Sequence, residues 1–331
     1  MSRLIVTDYT FPTLEVEQRR LTPLGIAVEG VKAGERAELL AKLPTADFVL
    51  TQFAKLDAEA IDRMEKARVI VRYGIGVDNV DLEAAKRRGI PVCNVPDYCI
   101  DEVADHTLAL VLSATRRVVE NANFVSGGKW GLPVPVTDMR CLKSMTVGVV
   151  GFGRIGREVA SRLSNFKCRL LVSDPAAKAA DVEEAGCELT SLENLLVNSD
   201  LVTLHCPAIP ATRHLINFDT LDAMKPGAIL VNVARGNIVD TSAMYEALKS
   251  GKLGFAALDV FDPEPPAPDH PALALKNVIL HSHIASASDE AVLKLRSDAA
   301  AIVALCNEGQ PLPNIVNGVT GPARFAAMAV S

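Results

Sequence analysis

The chain has no Cys-x-x-Cys pair, no run of basic residues and no uninterrupted apolar stretch long enough to span a bilayer. Each absence removes a class of function. The seven cysteines (Cys93, Cys99, Cys141, Cys168, Cys187, Cys206, Cys306) are scattered and odd in number. They fit neither a disulfide framework nor a zinc site. The expectation is reduced, mostly buried thiols and no metal site. A net charge of −6 argues against a general nucleic-acid or anionic-membrane surface. The opening residues, MSRLIVTDYTF, lack the apolar core and cleavage pattern of a secretory signal, so a cytoplasmic location is expected. No fixed-period repeat and no low-complexity tract is present.

What is present is a large apolar fraction, 49% of 331 residues, enough for about two domains. The most informative stretch is Met145–Ser161, MTVGVVGFGRIGREVAS. Val147, Val149 and Val150 form a β-branched run suited to a buried parallel strand. Gly151-Phe152-Gly153-Arg154-Ile155-Gly156 follows, a G-x-G-x-x-G leading into a helix from about Arg154. The glycines provide a tight turn, close backbone approach to a pyrophosphate and close helix–strand packing. The helix start presents free N–H groups to an anion. A further strand, Arg169–Ser173, ends at Asp174, 18 residues past Gly156. A carboxylate there suits the ribose hydroxyls of a dinucleotide.

Strands and helices alternate on both sides of this stretch. Before it, strands are expected at Leu4–Asp8, Ile26–Glu29, Phe48–Leu50, Val69–Val71 and Pro91–Asn94. Helices are expected between them, at Leu14–Thr22, Ala33–Lys42, Asp57–Lys66 and Asp81–Arg88, with Asp57 as an N-cap. From Met145 six strands are expected: Thr146–Val150, Arg169–Ser173, Leu201–Leu204, Ile229–Val233, Phe255–Leu258 and Val278–Leu280. Such alternation implies α/β architecture with parallel sheets covered on both faces. Between the two runs, Asp101–Arg117 is the clearest long helix. Asp101 is its candidate cap, and an apolar surface on more than one face predicts burial. Its His106 reads as a packed residue and receives no role. Asp289–Cys306 is a second long helix. Gly74-Ile75-Gly76 sits at a strand end, where backbone N–H groups suit a carboxylate.

Three polar residues stand at strand ends of the second run: Arg235 in V-A-R-G, Glu264 in D-V-F-D-P-E-P-P and His283 in H-S-H-I-A. The carboxyl edge of a parallel sheet can bring them to one ligand. A carboxylate beside an imidazole favours the imidazolium and fixes its orientation, which makes a general acid–base. A guanidinium nearby can pair with a substrate carboxylate and polarise a carbonyl.

These segments, with GIGVDNVD (Gly74–Asp81), VPDYCIDEVADHT (Val95–Thr107), HCP (His205–Pro207), NVARGNIVD (Asn232–Asp240) and LDVFDPEP (Leu258–Pro265), resemble the D-isomer-specific 2-hydroxyacid dehydrogenase family. The resemblance implies two doubly wound parallel-sheet domains, a Rossmann domain inserted into a flavodoxin-like one. Residues 1–99 and 289–331 would form the substrate domain and residues 100–288 the NAD-binding domain. It implies His283 as acid–base, Glu264 as its partner and Arg235 as substrate binder. Gly74, Ile75 and Gly76 would hold the substrate carboxylate. NAD would be held by Gly151, Gly153, Arg154, Ile155, Gly156 and Asp174. Cys206 and Pro207 would line the adenine side, Ala234 would lie beside the cofactor, and Asp259 would hold the nicotinamide amide. The reaction would be hydride transfer between NAD(H) and a small 2-hydroxy or 2-keto acid of the phosphoglycerate, hydroxypyruvate or glyoxylate type. The family's phosphoglycerate enzymes tend to carry an arginine in the loop that here reads Thr51-Gln52-Phe53-Ala54-Lys55. A lysine is a point charge without the bidentate fork of arginine. A homodimer through the cofactor domain, with residues 101–140 as an arm, is also implied. IVTDYTF (Ile5–Phe11) and CNVPDYC (Cys93–Cys99) resemble the branch related to C-terminal-binding transcriptional corepressors, which leaves a cofactor-responsive protein-binding module as the alternative.

Overall fold

The fold comes from a computed structural model, which describes residues 1–32 and 34–320. Ala33, the expected start of one helix, and 321–331 of the expected substrate domain lie outside the described residues. The chain divides into two compact units, Met1–Tyr98 with the segment from Ser288 onward, and Cys99–Ala287.

The first unit holds five parallel strands: β1 (Ser2–Val6), β2 (Ile26–Gly30), β3 (Phe48–Thr51), β4 (Ile70–Arg72) and β5 (Val92–Cys93). Their order is β2-β1-β3-β4-β5, the flavodoxin-like order. Alternation along the strands builds two cores. Leu4, Phe48, Leu50, Val71 and Cys93 face one side, where Leu295, Ala299, Ile302, Val303 and Cys306 of the Asp289–Asn307 helix pack on them. Ile5, Val49, Ile70 and Val92 face the other, against Leu39, Leu43, Ile61 and Ala84. The Asp289–Asn307 helix starts where the Ser288 hydroxyl accepts the Ala291 N–H, and Asp289 and Glu290 complement its dipole. Asp57 caps as expected, accepting from the Ala60 N–H.

The second unit holds seven parallel strands: β6 (Thr146–Val150), β7 (Arg169–Ser173), β8 (Glu188–Leu189), β9 (Leu201–Leu204), β10 (Ala228–Asn232), β11 (Leu253–Leu258) and β12 (Val278–Leu280). Their order is β12-β11-β10-β9-β6-β7-β8. The sequence direction reverses between β6 and β9, the crevice where open α/β sheets bind ligands. The extra strand, β8, is an edge of two exposed residues, held where Glu188 pairs with Arg169. It is too short and polar to carry an alternation signal.

Two expectations about helices are corrected. Asp101 does not cap the long helix. The helix runs Ile100–Arg116 from Cys99, and Asp101 and Asp105 instead pair with Arg162. The helix after β7, which the sequence pattern predicts over Ala176–Ala185, is shortened to Ala179–Glu184, because Asp174 accepts the Ala176 N–H and holds the preceding residues in a turn.

Candidate active site

The glycine turn closes tightly around β6. A Cβ on Gly156 would lie 2.1 Å from the Gly151 carbonyl oxygen, and one on Gly151, at φ +93°, would lie 2.5 Å from the Cys206 nitrogen. Only glycine lets these backbones approach. A Cβ on Gly153 would meet nothing within 4 Å. Gly153 is also the N-cap of the Arg154–Ser164 helix and supplies no side-chain cap. The first-turn N–H groups are therefore left facing an open cradle, which fits a pyrophosphate. Asp174 is fixed by accepting the Phe152 N–H at 2.7 Å and the Ala176 N–H at 2.8 Å. Cys206 and Pro207 leave the end of β9 across the same crevice. Burial pushes the Cys206 thiol up to about 11, which keeps it protonated near neutral pH.

His283 and Glu264 meet directly: the imidazole Nδ1 lies 2.7 Å from Glu264 Oε2. The other Glu264 oxygen accepts the Phe261 N–H at 2.9 Å. Burial pushes the Glu264 carboxyl up, but His283, the Phe261 N–H and Arg235 outweigh it and hold the group below the usual carboxylate range. Arg235 extends from the loop after β10, where Asn232 Nδ2 donates to its carbonyl and its own Nη1 donates to the Ala234 carbonyl. Gly236 packs so closely on Phe261 that a Cβ would lie 2.0 Å from the Phe261 carbonyl carbon, which ties the arginine loop to the glutamate loop.

Sequence reasoning missed what holds His283 in place. His283 sits in the left-handed region at φ 57°, rare for a residue with a side chain. Its N–H donates to the Asp259 carbonyl at 2.7 Å. The N–H groups of Ile284 and Ala285 donate to the two Asp259 carboxylate oxygens, each at 2.9 Å. Asp259 is 0% exposed. The family resemblance matches this residue to the nicotinamide amide; within the protein its carboxylate also holds this turn. His106, which had no role, lies with Nε2 2.8 Å from His281 Nδ1 and 3.8 Å from Asp259 Oδ1. Burial lowers the His106 pKa against the pull of Asp259, and His281 lowers it further. A single histidine in an apolar helix gave no sign of this, since its partners come from two strands far along the chain.

His205, at the end of β9, sets a pH dependence. Its Nε2 contacts Thr203 Oγ1 at 2.9 Å, while its Nδ1 is sealed from solvent without a hydrogen-bond partner, although the residue as a whole is only half-buried. Burial pushes its pKa down to about 3. An unfolded histidine titrates near ~6.5, so between these values the unfolded chain binds the extra proton, and folding weakens as pH falls. We expect urea unfolding to show this as about 1–2 kcal/mol lost from pH 7 to pH 5. His205→Gln should flatten the slope, and an unchanged slope would exclude His205 as its source.

In the other unit, Gly74 follows β4 at φ +144°, where a Cβ would collide with the Arg72 guanidinium. Asn94 Nδ2 donates to the Ile75 carbonyl at 2.7 Å, and the Val95 N–H donates to the Gly74 carbonyl at 3.0 Å. These bonds turn the carbonyls of Gly74 and Ile75 inward. The adjoining 51–55 loop is pinned by Asp8, whose two oxygens accept the N–H groups of Gln52 and Phe53 at 3.0 and 2.7 Å.

Comparison with known proteins identifies the family. The family model described as "D-isomer specific 2-hydroxyacid dehydrogenase, NAD binding domain" matches residues 108–285. The chain is 39% identical over 301 residues to the D-3-phosphoglycerate dehydrogenase of Archaeoglobus fulgidus, covering 88% of this chain and 55% of that protein. It thus spans about half the length of that relative. It is 40% identical over 286 residues to the glyoxylate reductase of Aeropyrum pernix, covering 84% of this chain and 85% of that one. The crystal structure of D-lactate dehydrogenase from Aquifex aeolicus, complexed with NAD and lactic acid, superposes with a TM-score of 0.83 at 30% identity, covering 92% of this chain and 96% of that one. The chain belongs to the D-isomer specific 2-hydroxyacid dehydrogenase family, NAD-dependent oxidoreductases that act on 2-hydroxy acids.

Proposed function

We propose that the chain reduces a small, unphosphorylated 2-keto acid of the glyoxylate or hydroxypyruvate type, and runs the reverse oxidation, with His283 as the acid–base. The observation that carries the reading is the His283–Glu264 contact at the end of the strand edge that bears the glycine turn. The Glu264 carboxylate accepts a hydrogen bond from Nδ1–H and fixes that tautomer, so the Nε2 atom is the one that gives a proton to the carbonyl oxygen or takes it from the hydroxyl. Arg235 pairs with the substrate carboxylate and polarises the carbonyl. Gly74, Ile75 and Gly76 offer backbone groups suited to a carboxylate. Asp259 shapes the His283 turn. Gly151, Gly153, Arg154, Ile155 and Gly156 hold the pyrophosphate of NAD, and Asp174 its ribose. Cys206, Pro207 and Ala234 line its bed. When bound, the nicotinamide supplies or accepts the hydride at C4, and the protein's part is positioning and proton transfer.

The substrate class rests on the 51–55 loop. It carries no arginine, and its one cation, Lys55, is exposed. Following NADH oxidation with a panel of 2-keto acids, we expect glyoxylate or hydroxypyruvate to exceed 3-phosphohydroxypyruvate in kcat/KM by at least ~tenfold, about 1.4 kcal/mol of transition-state binding. Preference for the phosphorylated acid would overturn the substrate. Cofactor binding with no turnover on any acid would favour a corepressor-like binding module.

We also place the protein in a reducing cytoplasm, on the strength of seven scattered cysteines that include no Cys-x-x-Cys pair. We assign it a homodimer through the cofactor domain. Val118, Leu132, Val136 and Trp130 (91% exposed) line the arm after the long helix, more apolar surface than one segment of a monomer normally shows. Sedimentation equilibrium should give a dimer that Trp130→Asp with Leu132→Asp dissociates. A wild-type monomer at micromolar concentration would end the assignment.

A further inference from the structure

Three groups outside the proposed proton-transfer pair converge in the second unit. His106 comes from the Ile100–Arg116 helix. Asp259 is the first residue past β11, and His281 the first past β12. The two strands pair in register at Leu258 and Leu280, so Asp259 and His281 emerge side by side. The His281 N–H continues the ladder, donating to the Leu258 carbonyl at 2.8 Å. One ligand atom from each residue lies within 4.8 Å of the others. We propose that His106 Nε2, His281 Nδ1 and Asp259 Oδ1 form a binding site for a divalent cation of the zinc class.

The donor set and spacing both support this. Two imidazoles and one carboxylate suit zinc, cobalt or nickel, and are too poor in oxygen for magnesium or calcium. Tetrahedral zinc with bonds of about 2.0–2.1 Å holds its ligand atoms about 3.3 Å apart. The observed separations, 2.8 Å between the imidazole nitrogens and 3.8 Å from His106 to Asp259, bracket that value. The third pair, His281 and Asp259, lies within 4.8 Å, so side-chain adjustment on binding would complete the set. The carboxylate is prepared for the role. Each oxygen already accepts one backbone N–H, from Ile284 and Ala285, which fixes its orientation and leaves further lone pairs. The rival account is a simple hydrogen bond between the two imidazoles, which needs no ion. The two accounts differ in what the metal-free chain does when offered a cation.

The test is to titrate the full, chelator-treated chain with Co²⁺ and displace it with Zn²⁺. We expect one Co²⁺ per chain, with a visible ligand-field band and no near-ultraviolet thiolate charge transfer, since no cysteine is in the set. Zinc should displace it. His106→Gln and His281→Gln should each weaken binding at least ~tenfold, while His270→Gln leaves it unchanged. Circular dichroism checks that each variant is folded. Where a variant fails that check, the wild-type spectrum and the other variant decide. Absence of bound Co²⁺ in the wild type, a thiolate band, or wild-type affinity in both histidine variants would overturn the site. The readout is binding, not turnover, so failure of the dehydrogenase reading would leave its outcome intact.

Discussion

Replacing His283 by alanine should lower kcat for 2-keto acid reduction by at least ~10²-fold while NADH affinity stays within about twofold of wild type. The size follows from the usual contribution of a positioned general acid, about 10²–10⁴-fold. The selectivity follows from geometry. The glycine turn and Asp174 stand at the ends of β6 and β7, whereas His283 stands past β12 at the far edge of the sheet. Its left-handed backbone is imposed by Asp259 through three N–H bonds that do not involve the imidazole, so alanine can inherit the turn. Fluorescence titration with NADH and steady-state rates separate the two effects. Turnover within tenfold of wild type would remove His283 from the chemistry. Glu264→Gln is the graded companion. An amide can still meet Nδ1, but it supplies no charge and can present its N–H to the ring and select the wrong tautomer. A loss smaller than that of His283→Ala is expected, with its pH profile altered.

The pair at this site was legible because each residue follows an apolar strand within a few residues, and such strands announce themselves. The strand before His283 is placed at its observed bounds, Val278–Leu280, and the strand before Glu264 at Phe255–Leu258, within the observed Leu253–Leu258. The glycine turn was legible for the same reason: a strand, three spaced glycines and a helix are one local pattern. The His106–His281 contact was not, because it joins residues 175 positions apart and neither carries a local signal. Asp259 was visible as a strand-end acid, but the identity of its partners was not. Backbone N–H groups of a turn leave no trace in residue type. The edge strand Glu188–Leu189 was hidden by its length, and the true start of the long helix by two acids, Asp101 and Asp105, that serve an arginine on another helix.

The second large effect belongs to the other unit. Glu17 is 0% exposed, and Arg296 grips it through two bonds, Nε to Oε1 at 2.9 Å and Nη2 to Oε2 at 2.7 Å. Arg296 also donates to the Thr13 carbonyl at 2.6 Å and lies over the Phe11 ring at 4.6 Å. Tyr73 donates to Glu17 at 3.0 Å, and burial, reinforced by Glu17, raises its pKa so that the phenol stays protonated and able to donate. Removing one member strands the other as a buried charge, which typically costs 3–5 kcal/mol. We therefore expect Arg296→Met to destabilise the full chain by about 3–5 kcal/mol in urea unfolding, more than any exposed ion pair in the molecule. Glu17→Leu combined with Arg296→Met should recover most of that loss, because an apolar pair of similar volume carries no desolvation penalty. Losses that simply add in the double variant would show that packing, and not the charge, holds the two helices. The network also adjoins the proposed substrate loop, for Tyr73 immediately precedes Gly74. Arg296→Met should accordingly raise the KM for the keto acid more than it lowers kcat, since a loosened 74–76 loop weakens ground-state and transition-state binding alike. A change in kcat alone would separate Tyr73 from the loop it adjoins.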